Sequence, residues 1–211
     1  MPGLSDFADE YLEMLDYFRP RRVLVVEVRG RGRSEAPPSG YTVVDHMHDL
    51  RAVLEQERIS RFHLMTFSRG TSWALELALG DPSRVETLSI GDYQAIEKHL
   101  TTAFVESLMQ TSFRGRPMAE RVERQVLERL AAESIDRDLW DRLKELSCPL
   151  LIARGGGDAG VVTDEVVEKY RTARPDIEVV VVPDAPHDLF RPDRLFYPRA
   201  VEDFITRRSA L

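Results

Sequence analysis

Phe62-His63-Leu64-Met65-Thr66-Phe67-Ser68-Arg69-Gly70 is the stretch on which the reading of this chain turns. A short apolar run meets a serine, a glycine follows two residues later, and Trp73, Leu75, Leu77 and Leu79 come next. This predicts a strand over Phe62–Phe67, a sharp turn, and a helix from about Arg69 to Leu79 that stops at Gly80 and Pro82. The turn matches most of the pattern G-x-S-x-G, which lifts a serine oxygen clear of the backbone. The positions two before and two after the serine then approach so closely that small residues are needed. The Arg69 N–H lies at a helix N-terminus, where a developing negative charge would be stabilised.

The same alternation extends in both directions. Upstream, Phe7, Tyr11, Met14, Leu15 and Phe18 predict an amphipathic helix starting near Asp6 and closed by Pro20, and Val23–Val28 reads as a buried strand. A loop rich in glycine and proline follows. Thr42 then caps a helix carrying Val43, Met47, Leu50 and Leu54. Downstream, strands are expected at Val85–Ile90, Leu150–Ala153 and Ile177–Val182, with helices over about Asp164–Thr172 and Asp193–Arg207. Residues 93–147 interrupt this rhythm with helical patterns alone. Regular βα alternation implies a three-layer α/β fold with a mostly parallel sheet. Residues 1–92 and 148–211 are expected to form its core, and 93–147 a helical cap insertion.

The composition excludes several classes of function. The 211 residues carry 29 basic and 36 acidic side chains, and 29 − 36 gives a net charge of −7, with Arg scattered rather than clustered. That argues against nucleic acid and anionic membranes as partners. No apolar run approaches the ~20 residues of a membrane span, and Arg21-Arg22 precede too short a run for an export signal. Cys148 is the single cysteine, so a reducing, cytoplasmic setting is expected. The chain has no asparagine, which removes a Cys-His-Asn triad.

In parallel sheets ligands gather at the carboxyl ends of the strands. Besides the Ser68 turn, those positions hold Asp92, the loop Gly155-Gly156-Gly157-Asp158, and Pro186-His187-Asp188. Ser68, Asp158 and His187 occur in the chain order Ser, Asp, His. Arg29-Gly30-Arg31-Gly32-Arg33-Ser34 looks like an R-G-x-G-x-S loop. With these motifs in order, the chain resembles the α/β-hydrolase superfamily over nearly its whole length. The resemblance implies a nucleophile at Ser68, a general base at His187 and an orienting acid at Asp158, with Asp92 as the alternative acid. It implies an oxyanion hole from the backbone N–H groups of Arg69 and Leu4, and it implies neither cofactor nor metal.

Three departures accompany the resemblance. Thr66 replaces the first glycine of the turn, and Pro2-Gly3 replaces a His-Gly pair. The third is that the family's first three strands have no counterpart, so a longer polypeptide starting upstream of Met1 is expected. Unless Val23–Val28 pairs directly with Phe62–Phe67, the sheet would have a gap in its middle.

Plainer readings stand beside these. Ser68 and Asp158 could each be helix caps. The Arg69 side chain could favour an anionic substrate or form a surface ion pair. His46 and His48 point in different directions on a helix and do not suggest a metal site. Asp184 and Asp188 read as loop and solvent groups. Cys148, Trp73 and Trp140 read as packing residues. The expected activity is hydrolysis of an ester or related acyl bond in a small molecule, through an acyl-enzyme on Ser68. Lyase, acyltransferase or cofactor-free peroxidase chemistry, or an inactive ligand-binding homologue, are the alternatives.

Overall fold

The strand β2 (Val85–Gly91) is buried along almost all of its length and forms the middle of the architecture. In the computed structural model, which describes residues 1–209, β2 pairs on one side with β1 (Phe62–Met65) and on the other with β7 (Leu150–Gly155). β8 (Glu178–Val182) pairs with β7, and every pairing in the order β1-β2-β7-β8 is parallel. The buried Leu, Ile and Val residues of β2 and β7 reflect helices on both faces, as parallel sheets require.

The helices fall close to their expected places. α1 (Val43–Gln56) begins at a reciprocal cap, in which Thr42 Oγ1 accepts from the Asp45 N–H and Asp45 accepts from the Thr42 N–H. α2 (Gly70–Gly80) is buried from Gly70 to Leu79, because it is enclosed by α1, by β2 and by residues 93–147. α5 (Asp164–Ala173) starts at Thr163, and α6 (Phe196–Ser209) starts three residues later than expected. The first helix, Ala8–Phe18, winds as a tighter 3₁₀ segment that buries Tyr11, Met14 and Phe18.

Residues 93–147 lie between β2 and β7. They hold α3 (Thr102–Met109) and α4 (Arg124–Glu133), together with two short antiparallel pairings. β3 (Ile96–Glu97) pairs with β6 (Arg137–Asp138), and β4 (Ser112–Phe113) pairs with β5 (Arg116–Pro117). These pairings correct the expectation of helices alone; two residues per strand are too few to leave a periodic signal in sequence. α3 and α4 close over their own apolar cluster, which includes Val105, Leu127 and Leu130.

Val23–Val28 is not a strand. Among the described residues, none of the backbone N–H groups of Val23 to Val26 donates to another backbone group. The physical reason is that, among the described residues, no strand lies alongside it; Val23 and Val25 instead pack toward the cluster of Tyr11, Met14 and Phe18. A cleft of about 520 Å³ separates the segment from β1, so the direct pairing that would have closed the sheet is not made. Among the described residues, no helix is long and apolar enough to cross a membrane.

Candidate active site

Ser68 sits between β1 and α2 with a φ of +50°. This left-handed conformation is costly for a residue with a side chain, and here the surroundings impose it. The Thr66, Phe67 and Ser68 N–H groups donate to Ser89 O, Met1 O and Gly91 O at 2.9, 3.0 and 2.9 Å. The turn is thus held between β2 and the first residue of the chain. A Cβ on Gly70 would stand 2.2 Å from Pro2 O, so glycine is required there by close backbone approach. At Thr66 the expected crowding is absent. Its hydroxyl meets Thr71 Oγ1 at 2.8 Å and donates to Ser89 O at 3.2 Å, which makes the β-branched residue a tie between strand and helix.

His187 brings the site together. Its Nε2 lies 2.8 Å from Ser68 Oγ, and its Nδ1 lies 2.8 Å from Asp92 Oδ2. A carboxylate oxygen accepts, so Nδ1 carries the proton and Nε2 is left to accept from the Ser68 hydroxyl. The imidazole stacks on Phe67 at 5.2 Å between ring centroids. Asp92 is fully buried at the end of β2 with a φ of +43°. Besides His187 it accepts from the Val161 and Val162 N–H groups at 2.8 and 3.1 Å. Three donors converge on two oxygens, which fixes the carboxylate in place.

The acid expected at Asp158 is not beside His187. Asp158 lies exposed at the tip of the loop after β7, and among the described residues it makes no hydrogen bond. The glycines of that loop have a different use. A Cβ on Gly155 would stand 2.4 Å from Pro186 O, so the loop passes directly against the one that carries His187. It then delivers the Val161 and Val162 N–H groups to Asp92. Asp92, the alternative acid, makes the contact expected of Asp158. Both aspartates follow strands in the same chain order, so sequence order could not separate them.

The Leu4 and Arg69 backbone N–H groups, expected as oxyanion donors, have no acceptor within the described residues. Gly3, next to Leu4, is so close to the turn that a Cβ there would be 3.3 Å from Ser68 Cβ. The Arg69 side chain makes an ion pair, though a buried one rather than the surface pair expected. Its Nη2 donates to Glu97 Oε1 at 2.7 Å and its Nη1 to Lys98 O at 2.7 Å. Burial raises the Glu97 carboxyl above its ordinary range despite the Arg69 charge. His46 is packed on Trp73 at 4.4 Å, and burial lowers it to about 3.

Asp188 is buried rather than solvated, which corrects its reading as a solvent group. It accepts two hydrogen bonds from Arg114 at the tip of the β4–β5 hairpin. Arg114 also lies over the rings of Phe67, Phe113 and Phe190. Burial opposes its charge, but the Asp188 bonds and the nearby Asp6 outweigh this and raise it above its ordinary value. Sequence spacing held no signal for this pair, since 74 residues separate its members.

The model of the alpha/beta hydrolase family matches residues 1–201. The chain belongs to the alpha/beta hydrolase family. Among curated relatives, this hydrolase-family chain is 33% identical over 85 residues to a Yersinia enterocolitica protein named "Putative carbamate hydrolase RutD". That match spans 39% of this chain and 31% of the relative. Solved structures resemble it over far more. An E-2-(acetamidomethylene)succinate hydrolase superposes with a TM-score of 0.74 at 19% identity, over 100% of this chain and 90% of the other. A hydrolase from Pseudomonas aeruginosa PA01 gives 0.75 at 23%, over 100% and 88%. At these identities the likeness concerns the fold.

Proposed function

We propose that this alpha/beta hydrolase family member is a serine hydrolase that cleaves an ester or related acyl bond of a small molecule through an acyl-enzyme on Ser68. The observation that carries this reading is His187, whose two ring nitrogens lie 2.8 Å from Ser68 Oγ and 2.8 Å from Asp92 Oδ2. Ser68 is the nucleophile, His187 the base and then the acid, and Asp92 the group that orients the ring and stabilises its charged form. Residues 93–147 serve as the cap over a core of residues 1–92 and 148–211, a division supported by the Arg69–Glu97 and Arg114–Asp188 contacts. The single, buried Cys148, whose thiol burial raises to about 11, is in keeping with a cytoplasmic protein.

The proposed chemistry runs in two steps. Ser68 Oγ bonds to the acyl carbon as its proton passes to His187 Nε2, and the carbonyl electron pair moves onto oxygen. The Leu4 and Arg69 N–H groups, which have no acceptor among the described residues, receive that oxyanion. Collapse breaks the bond to the leaving group, which takes the proton from Nε2. A water then gives a proton to Nε2 and attacks the acyl carbon. Ser68 leaves with that proton, and the products are an acid and an alcohol.

The test is hydrolysis of a panel of p-nitrophenyl esters by the protein and by Ser68→Ala. The proposal expects turnover that falls by about 10⁴-fold or more in the variant. A variant that keeps the parent rate would overturn it.

A further inference from the structure

The loop Arg29–Ser34 takes no part in the steps above, yet it sends one side chain, Arg31, to the edge of the site. Arg31 is fully buried, and its guanidinium lies over the Trp73 ring of α2, 5.5 Å from the centroid. The loop holds its own shape. The Arg31 N–H donates to Val28 O at 3.1 Å, the Gly30 N–H to Glu35 O at 2.8 Å and the Ser34 hydroxyl to Glu27 O at 2.7 Å. From this base Arg31 Nε donates to Leu4 O at 2.9 Å, and Nη1 donates to Arg29 O at 2.7 Å.

The backbone around Leu4 is accounted for group by group. The Gly3 N–H donates to Asp6 Oδ2 at 3.0 Å, Gly3 O accepts from the Asp6 N–H at 3.4 Å, and Leu4 O accepts from Arg31. Asp6 is fixed in turn by the Tyr11 hydroxyl at 2.5 Å and by Arg121 Nη2 at 3.2 Å. Of the backbone polar groups of Gly3 and Leu4, the Leu4 N–H alone has no partner among the described residues. A segment pinned at its other groups presents that donor in a fixed direction, at no cost of reorganisation when charge develops.

The charge on Arg31 is as informative as its bond. Both of its acceptors are carbonyls, and among the described residues its Nη2 has no partner and no carboxylate pairs with it. Burial, aided by the nearby Arg69 and opposed by Tyr41, lowers it to about 9, which leaves it charged at neutral pH. An arginine buried only for packing would leave this charge without compensation. A negative charge arising at the Leu4 N–H would supply it.

We propose that Arg31 is a positioning residue of the reaction: through Leu4 O it aims the Leu4 N–H at the oxyanion, and its unpaired charge favours that oxyanion over the neutral ester. This rests on the serine-hydrolase reading and adds to it a residue outside Ser68, His187 and Asp92.

The test compares the protein with Arg31→Met, which keeps an apolar chain on Trp73, and with Arg31→Lys, which keeps the charge. Each is read for kcat and KM on one p-nitrophenyl ester, and for inhibition by an alkyl trifluoromethyl ketone, whose adduct with a serine carries an oxyanion. Arg31→Met is expected to lower kcat and to weaken inhibition in step, by about 10²-fold, with KM changed by less than about threefold. Arg31→Lys is expected to lose less of both. A merely structural role would lower the melting temperature without this matched loss. Unchanged kcat and inhibition in Arg31→Met, or a fall in kcat without weaker inhibition, would overturn the inference and leave the serine-hydrolase reading standing. A parent that neither hydrolyses the ester nor binds the ketone would overturn both. If Arg31→Met does not fold, heteronuclear NMR of the parent decides. Ketone binding is expected to shift the Leu4 N–H and Arg31 Nε–H resonances together, and an unmoved Arg31 resonance contradicts the inference.

Discussion

Arg114 grips Asp188 through two parallel hydrogen bonds, Nε to Oδ2 at 2.9 Å and Nη2 to Oδ1 at 2.8 Å, one residue beyond His187. The pair joins the β4–β5 hairpin to the loop that carries His187. Both side chains are almost wholly buried, so each depends on the other to offset the cost of losing water.

Arg114→Ala should therefore destabilise the protein by up to about 3 kcal/mol, since it leaves the buried Asp188 with only the Phe190 N–H at 3.3 Å and the exposed Arg191 at 3.6 Å as partners. Arg114→Lys should recover little, because a lysine lacks the planar fork that makes both bonds. Urea unfolding of the two variants checks this, and a loss below about 1 kcal/mol would mean the pair is hydrated in solution.

The two aspartates should separate cleanly. Asp92→Asn should lower kcat by about 10⁴-fold, because an amide at that place no longer holds the Nδ1–H tautomer or stabilises the charged ring. Asp158→Asn should leave kcat unchanged, as its side chain is exposed and unbonded. Steady-state kinetics on one ester decides between them, and the reverse ranking would restore Asp158 as the acid.

Gly70→Ala should disrupt stability and turnover together. The added methyl would meet Pro2 O at 2.2 Å and Met1 O at 2.8 Å. Both are backbone atoms, so the 1–4 segment must move, and Leu4 moves with it. About 1–3 kcal/mol of destabilisation is expected from the overpacking, with a kcat loss larger than the change in KM.

His46 sets an acid limit on stability. Burial, aided by Arg31 and Arg29 and opposed by the Thr42 carbonyl and Asp49, lowers it from 6.5 to about 3. Between those values the unfolded chain holds a proton that the folded protein does not, so stability falls as pH falls through this window. The slope from this one group is at most about 1.4 kcal/mol per pH unit. His46→Phe, which keeps a ring on Trp73, should flatten the acid limb of a stability–pH curve. An unchanged limb would show that His46 is protonated in the fold.

The Ser68 turn was legible in sequence because it is local: a strand, a serine, a glycine and a helix within a few residues obey rules that act over that distance. The parallel character of the sheet followed from the βα rhythm, whereas its order β1-β2-β7-β8 is set by long-range pairing. Val23–Val28 was not legible as unpaired, because β-branched residues promote extension while pairing depends on what lies alongside. Asp92 and Asp158 both follow strands. They differ in burial and in the donors that reach them, and the Val161 and Val162 N–H groups meet Asp92 across 69 and 70 residues. Thr66 is larger than the glycine of the pattern, and its hydroxyl bonds to Thr71 and Ser89 are long-range contacts with no signal in the local sequence.

The claim that His187 activates Ser68 is tested most directly by covalent labelling with a fluorophosphonate, read by peptide mass mapping. One adduct is expected, on Ser68, formed rapidly by the parent, slowed by about 10³-fold or more in His187→Ala, and absent in Ser68→Ala. Folded protein that stays unlabelled, or that carries the adduct on another residue, would contradict it.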